Sequence, residues 1–563
     1  MSIPRPSSHI QAASICVVLA LLLLGLAMGR APDVASAKRP NFVLIQADDQ
    51  TEATMHAIAV GKDGKKARVM PNTLDLIGNR GVEFSNYYSS APLCSPSRAT
   101  LLSGQYAHTN GLPRNSGRRG GAEGLFNSGI YSENLAVTLD RAGYFTTHIG
   151  DLSNHYGARN AYNEKDVPPG WDRWVTTWTP RKVRRYYGYR LNVNGKIQGP
   201  FGKANYLSEK NRDSAKCPDP KLTCNYSTDV LTTKAVRTIQ KAKKGPLYMQ
   251  VDYEAPHDGP IGSTRPVPAT RYKGTASETP LPKPPNFNER NIDDKPAVLR
   301  NGNNQLSQRK VAGIEKRYRA QLETLRAMDD GIGRIVKTLK DERRLGNTYI
   351  MVFSDHGYFL GEHRFGKSKF LPHEPASSVD LLVRGPKAAK GRRSNAIVGN
   401  VDMAPTIADL AGTELGLEPD GRSFANVLKH PGKGSGRSVV LESYVLPSEP
   451  LKEHLGDQSL ASGAAVSGAV PYVNYTGLRA GRYKYISYEP GGHELYDLKL
   501  DPYELSNRVK SRRYRRVVKA MNAELEDRQF CAGRQCRKGV RDLPRPKPAP
   551  EPKPEKPGKN DRN

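Results

Sequence analysis

Asn41-Phe42-Val43-Leu44-Ile45-Gln46-Ala47-Asp48-Asp49 is the stretch that decides how this chain is read. A near-continuous apolar run, broken only by Gln46, ends on two carboxylates. A strand covered by helices on both faces has no solvent side, so it reads as a run and not as an alternation. The stretch therefore predicts a buried parallel strand. Its aspartates then lie at the C-terminal end, where open α/β sheets bind their ligands. Adjacent aspartates are often no more than a polar turn, yet at a strand end they also suit a hard cation such as calcium or magnesium.

The same pattern recurs outward along the chain. Gly143–Gly150 reads as a second buried strand, Pro246–Tyr253 as a third leading to His257, and Asn347–Phe353 as a fourth leading to Asp355-His356. Helical stretches fall between them, Asn134–Arg141 among others, and Met70–Ile77 reads as a helix followed by a strand that delivers the chain to Cys94. This alternation predicts an α/β fold, a large, mostly parallel, doubly wound sheet flanked by helices on both faces. Tyr156–Asp213 and Gly259–Gln308 show little period and read as long loops at the rim of a cleft. From about Gly391 the pattern shifts to a capped helix at Val401–Gly412, a short strand at Ser438–Tyr444 and a hairpin-like run at Tyr475–Ile486. A basic helix follows from Ser511 to about Arg528. Residues 540–563, heavy in Pro, Lys and Glu, cannot pack a core and read as a disordered tail.

Composition narrows the class. The chain has 563 residues, a formal net charge of +30 and 37% hydrophobic residues, enough to bury a large core in more than one structural unit. Such a charge attracts polyanions, although a solvated basic surface without a dedicated partner explains it as well. No groove-reading motif or aromatic-basic platform accompanies it, so specific nucleic-acid binding is not expected. Residues 1–37 read as a signal peptide: Arg5, an apolar run from Cys16 to Met28, then Ala35-Ser36-Ala37 as a cleavage site. The run is too short to favour a membrane span. Cys16 opens the run, which argues against a lipoprotein anchor, and export to the medium or the cell envelope is expected. Of the five cysteines beyond the leader, Cys217 with Cys224 and Cys531 with Cys536 lie close enough in sequence to close small disulfide rings. Cys94 is left over.

That cysteine sits in Pro92-Leu93-Cys94-Ser95-Pro96-Ser97-Arg98-Ala99-Thr100-Leu101-Leu102-Ser103-Gly104. A helix start favours negative charge, and Arg98 one turn on offers a planar fork of donors matched to a tetrahedral oxyanion. An isolated C-x-x-x-R is more often a buried small residue and a surface cation. Here Cys94-Ser95-Pro96-Ser97-Arg98 with Leu101-Leu102-Ser103-Gly104 resembles the signature of the type I sulfatases, in the alkaline-phosphatase-like superfamily.

The resemblance covers most of residues 40–530 and carries its own expectations. It implies that a formylglycine-generating enzyme oxidises Cys94 to formylglycine (3-oxoalanine), whose hydrated aldehyde attacks sulfur and later expels sulfate by C–O cleavage. It implies one divalent cation, usually calcium, on Asp48, Asp49, Asp355 and His356, completed by the modified Cys94. Many relatives carry Asn where His356 stands. His257 resembles the histidine that contacts sulfate and assists the leaving group. Lys369 resembles the lysine that holds sulfate, chosen over Lys367 for its spacing to Glu374, and Arg98 belongs to the same substrate-facing set. The resemblance places a catalytic domain at 38–390 and a smaller C-terminal domain, an antiparallel sheet packed with a helix, at 391–539.

One position departs from the family. Where a lysine normally contacts both aldehyde hydrate and sulfate, this chain has Asp151, which at close range would repel a sulfate. The expected activity is exported sulfuric-ester hydrolysis, on a sulfated sugar or an aryl sulfate. Two alternatives stand beside it: a phosphonate or phosphodiester hydrolase on the same scaffold, and a catalytically weak sulfatase-like protein that binds sulfated polyanions.

Overall fold

The structure, a computed structural model, describes residues 39–157, 166–179, 186–202, 224–242, 245–259, 265–366, 368–434, 436–444, 473–489 and 491–548. The expected signal peptide, Cys217 and Lys367 lie outside these residues. The described strands are β1 (Asn41–Ala47), β2 (Ile58–Val60), β3 (Lys66–Arg68), β4 (Val82–Tyr88), β5 (Phe145–Gly150), β6 (Arg173–Trp178), β7 (Tyr189–Val193), β8 (Lys196–Phe201) and β9 (Leu247–Asp252). They continue with β10 (Thr348–Ser354), β11 (Ser378–Arg384), β12 (Arg392–Ser394), β13 (Val398–Gly399), β14 (Ser438–Ser443), β15 (Tyr475–Ala480), β16 (Tyr483–Tyr488) and β17 (His493–Asp497). Helices of seven or more residues are α1 (Cys94–Ser103), α2 (Gly121–Asn127), α3 (Leu135–Arg141), α4 (Ser227–Lys241), α5 (Gln308–Asp341), α6 (Met403–Ala411) and α7 (Arg515–Glu526).

β1 is buried along its whole length and lies at the centre of an 11-stranded sheet of order β12-β4-β11-β10-β1-β9-β5-β6-β7-β8, with β13 also on β4. β10, β1, β9 and β5 pair in parallel, so all four end at the same edge. Side chains alternate across β1. Phe42 and Leu44 join Ala99, Leu101 and Leu102 of α1 and Met403, Ala404 and Ile407 of α6 on one face. Val43 and Ile45 join Leu231 and Ala235 of α4 and Leu322, Leu325 and Ile332 of α5 on the other. The large, mostly parallel sheet with helices on both faces is thus present. Antiparallel strands flank it: β11 against β10 and β4, and β7 against β6 and β8.

Three expectations change. The stretch Tyr156–Asp213 is not one long loop, because β6, β7 and β8 extend the large sheet through it. β7 and β8 turn on Asn194-Gly195, both left-handed at φ 49° and 84°, the two-residue hairpin that Asn-Gly favours. The second domain does not begin at 391, since β12 and β13 pair with β4 and α6 packs into the large core. The four-stranded antiparallel sheet β14-β15-β16-β17 starts at Ser438, and Val517, Met521 and Leu525 of α7 pack on it with Leu478 and Tyr485. The tail is not free from 540 onward. Val540 and Leu543 pack against that second core, and the Pro544 carbonyl accepts a hydrogen bond from Tyr483 Oη.

Cys531 and Cys536 form the expected disulfide, and Cys224 is disulfide-bonded as well. Among the described residues no helix is long and apolar enough to cross a membrane. From Pro40 onward the described residues form a single compact unit.

His108 ties the second sheet to the turn after α1. Its Nδ1 lies 2.5 Å from Glu442 Oε2 and its Nε2 2.8 Å from the Cys531 carbonyl. Both partners are acceptors, so the ring carries both protons. Burial alone lowers its pKa, but the Glu442 carboxylate reverses that and the pKa stands at about 9. A folded pKa above the unfolded value of about 6.5 gives stability that is complete below that value and lost as pH rises through about 9. Replacing His108 by Gln is expected to cost up to about 3 kcal/mol at about pH 6 and much less at about pH 10. Urea unfolding of both proteins at the two pH values checks this; an equal difference at both removes the ion pair from the account.

Candidate active site

The four parallel strands each deliver an aspartate at the same edge. Asp48 follows β1, Asp151 follows β5, Asp252 ends β9 and Asp355 follows β10. Residues on an extended strand alternate faces, so two consecutive carboxylates cannot serve one site unless the backbone turns. Asp49 makes that turn with φ 68°, a conformation that Asp tolerates better than most residues. Gly150 makes the equivalent turn at the end of β5 with φ 118°. A Cβ there would stand 1.9 Å from the Asp252 carbonyl oxygen, so no larger residue fits.

α1 brings Cys94 and Arg98 to this edge. Cys94 is its first residue and Pro96 lies in the first turn, where its missing N–H costs nothing. The Ser95 N–H, free of an intrahelical partner, donates to Asn115 Oδ1 at 2.9 Å. Gly104 closes the helix in the left-handed region at φ 70°. All ten residues of α1 are buried.

Arg98 turns out to be the hub of the aspartates. Its Nη2 lies 2.8 Å from Asp48 Oδ2 and 3.2 Å from Asp355 Oδ2, its Nε 3.2 Å from Asp355 Oδ2, and Nη1 donates to the Asp151 carbonyl. The Asp151 and Asp252 carboxylates each stand 3.9 Å from Nη1. With its fork used on carboxylates and only 2% of the side chain exposed, Arg98 is a positioning residue. The substrate-facing role expected for it is not the one this geometry gives. Asp151 likewise directs its charge at Arg98, so the repulsion expected toward sulfate is met by a guanidinium.

Cys94 Sγ lies 3.1 Å from Lys369 Nζ and 3.8 Å from Asp48 Oδ1. Lys369 Nζ also lies 2.8 Å from Asp49 Oδ1. Burial would strip its proton, but Asp49 and Cys94 hold the ammonium charged, with a pKa above the ordinary lysine value. His257 Nε2 stands 3.6 Å from Asp49 Oδ2, and Nδ1 donates to the Asp258 carbonyl at 2.9 Å. The Asp258 carboxylate is gripped by Arg317, Nη1 to Oδ1 at 2.6 Å, which fixes the turn carrying His257. At 16% and 9%, the side chains of Lys369 and His257 are more exposed than those of Arg98 and Asp49, so ligands reach the site from their side.

Asp48, Cys94, Asp355 and His356 place one donor atom each within 4.8 Å of one another, and Asp48, Asp49 and His257 do the same. Two observations fit this set to a divalent cation. The His356 Nδ1 lies 3.0 Å from the Gly357 carbonyl, which fixes the proton on Nδ1 and leaves Nε2 a buried lone pair with no hydrogen-bond partner. Burial also keeps this ring neutral, the form that ligates a metal. Burial and the neighbouring Asp48 push Asp355 up to about 7 despite His356 and Arg98, a crowding of negative charge that a cation would relieve. Asp49 behaves oppositely: burial raises it, but Lys369, His257 and His356 together hold it below the ordinary carboxylate range.

The structure therefore brings together Asp48, Asp49, Cys94, Arg98, His257, Asp355, His356 and Lys369. The sequence reading passed over Asp252, although its position at a strand end repeats that of Asp48. His148 Nε2 at 3.1 Å and Gln250 Nε2 at 2.8 Å hold its carboxylate. Ser97 and Asn400 were also passed over. Ser97 Oγ donates to the Asp355 carbonyl at 2.5 Å and Asn400 Nδ2 donates to Ser97 Oγ at 3.0 Å, ties between distant segments that no local pattern announces.

Comparison with known proteins agrees with this geometry. The sulfatase family model matches residues 40–413. N-acetylglucosamine-6-sulfatase of Capra hircus is 30% identical over 519 residues, 89% of this chain and 85% of that protein. An extracellular sulfatase homolog of Drosophila melanogaster is 31% identical over 400 residues, 70% of this chain and 32% of that protein. A solved structure in complex with its substrate D-glucosamine-2-N,6-O-disulfate shares the fold, with TM-score 0.66, 24% identity and coverage of 89% of this chain and 98% of that one. A family model that spans every strand of the large sheet, and an alignment that runs over nearly all of the chain, make this protein a member of the sulfatase family.

Proposed function

We propose that the protein is an exported hydrolase of sulfate esters on amino sugars, with Cys94 as the precursor of a formylglycine nucleophile and a calcium ion held by Asp48, Asp49, Asp355 and His356. The observation that carries this is the position of Lys369 Nζ, 3.1 Å from Cys94 Sγ and 2.8 Å from Asp49 Oδ1. A charged donor beside the nucleophilic position is what an incoming sulfate needs, and it lies on the side of the site that solvent reaches. The amino-sugar substrate follows the relative named above, and export follows the leader read in residues 1–37.

Formylglycine at position 94 would supply a hydrated aldehyde, one hydroxyl of which is a nucleophile toward sulfur and the other a route for releasing sulfate. A divalent cation supplies the charge that makes a hydroxyl nucleophilic near neutral pH. The chain's own residues do the rest. Lys369 binds the sulfate oxygens with a charge-assisted hydrogen bond. His257, its Nδ1 committed to the Asp258 carbonyl, offers Nε2 as the atom that holds a proton for the departing alcohol oxygen, and Asp49 stabilises the protonated ring. Arg98 holds Asp48 and Asp355 in place. The buried setting excludes water, which strengthens each of these interactions.

The first test is the mass of the peptide carrying Cys94 from protein secreted by its own host, with aldehyde trapping. Conversion to the aldehyde, with cleavage of an aryl sulfate faster than of an aryl phosphodiester, is expected; an unmodified thiol in every molecule removes the mechanism and moves polyanion binding forward.

His257→Ala is expected to lower kcat about 10²-fold or more on a sugar sulfate, whose alcohol needs a proton to leave. The loss should be much smaller on an activated aryl sulfate. Equal losses on both would assign His257 to binding and not to proton transfer.

Asp151→Lys restores the family's residue, yet here it sets a second cation beside buried Arg98. Breaking a buried pair in this way costs about 3–5 kcal/mol. We expect a lower melting temperature and lower activity, and a gain in activity would show that the side chain at 151 faces the sulfate.

A further inference from the structure

Where β4 and β11 pair, a second group of ligand-type side chains meets, which the catalytic reading does not use. His56 follows the short helix Glu52–Met55, Glu83 is on β4 and Asp380 is on β11. His56 Nε2 lies 3.1 Å from Glu83 Oε1, and a donor atom from each of the three residues lies within 4.8 Å of the others. The pairing of β11 with β4 is irregular between Val379 and Leu381, the position of Asp380, and a bulge of this kind re-aims the side chain it carries.

Asp380 is the decisive residue. It is 8% exposed, and its Oδ2 is buried with no hydrogen-bond partner. A buried carboxylate oxygen without a donor is costly unless something absent from the protein atoms satisfies it. Its nearest charged neighbours make the cost worse. Burial, Glu52 and Glu83 all push its carboxyl well above the ordinary range, and the opposing Arg393 is engaged with Glu83 Oε1 at 2.9 Å.

We propose that His56, Glu83 and Asp380 form a second divalent-cation site, selective for the zinc class of ions over calcium. One imidazole nitrogen and two carboxylates from separate elements suit the low coordination number of zinc, whereas calcium needs more oxygen donors than these three residues offer; the catalytic set places three carboxylates beside its one imidazole. His56 is half exposed, at 50% of its side chain, and gives the ion a path in; Asp380 closes the site from below. The ion would join the segment that follows Asp48-Asp49 to β4, which leads the chain to Cys94, and to β11. The inference stands apart from the hydrolytic reading, since none of the three residues is in that site.

The test is titration of the full protein with Zn²⁺ in saturating Ca²⁺, read by calorimetry and by metal content after dialysis. One equivalent of zinc bound by the wild type is expected, with a rise in melting temperature. His56→Ala, a change at a half-exposed position, is expected to weaken that binding at least about tenfold and to abolish the thermal shift while leaving Ca²⁺-dependent activity unchanged. Asp380→Asn should do the same to zinc binding. No zinc bound by the wild type in excess calcium, or the same affinity in wild type and His56→Ala, overturns the proposal.

Discussion

Everything at the working edge of this protein depends on one buried guanidinium held by four strand ends. Arg98 is surrounded by Asp48, Asp151, Asp252 and Asp355, one from each of four adjacent parallel strands. These carboxylates are buried around it, and the guanidinium would not be buried without them. The pairing therefore fixes α1 against the sheet. It does so one turn into the helix, and so sets where Cys94 stands.

The arrangement is also unbalanced, and the imbalance has a chemical meaning. Asp48, Asp49, Asp151, Asp252 and Asp355 crowd around Arg98 and Lys369. Burial, with the neighbouring Asp48 adding to it, raises Asp355 to about 7, a cost that a bound cation would offset. His356 is neutral, with a buried Nε2 lone pair beside the same carboxylates. A site with surplus negative charge and an idle imidazole nitrogen is prepared for a cation, and an anionic substrate would bind it poorly without one. Asp151 fits the same logic. A lysine at that position would neutralise part of the surplus, whereas Asp151 adds to it and leans on Arg98 instead, so that in the proposed mechanism Lys369 and a cation would attract the sulfate.

How much of this could be read in the sequence divides along a physical line. Strands buried on both faces announce themselves, so β1, β5, β9 and β10 and the acidic residues that end them were legible, as were Cys94 and Arg98 one helical turn apart. Strands at the margin were not. Trp174 and Val175 of β6 are buried, but the surrounding Tyr, Arg and Gly hide the run, and the informative signal was the Asn194-Gly195 turn. The boundary at 391 was misplaced because β12 and β13 are two or three residues long and are defined by pairing with β4, a contact some 300 residues away in sequence. Asp252 was passed over because one aspartate at a strand end looks ordinary until three others are found beside it.

Burial of the motif sets a limit on how position 94 could be altered. Cys94 is 1% exposed and every residue of α1 around it is buried, with Ser95 held by Asn115, Ser153 and Asn154 and Ser97 held by Asp355 and Asn400. An enzyme that must grip Cys94, Pro96 and Arg98 at once cannot reach them in the folded chain without pulling α1 out of the core and separating Arg98 from its aspartates. Opening a buried ion cluster of this kind approaches the cost of unfolding the domain. The proposed oxidation of Cys94 would therefore belong before folding, while the segment is still extended. The same reasoning explains why the motif is local: the residues a maturation enzyme reads must be contiguous in an unfolded chain, whereas Asp48, His257, Asp355 and Lys369, needed only after folding, are free to lie far apart.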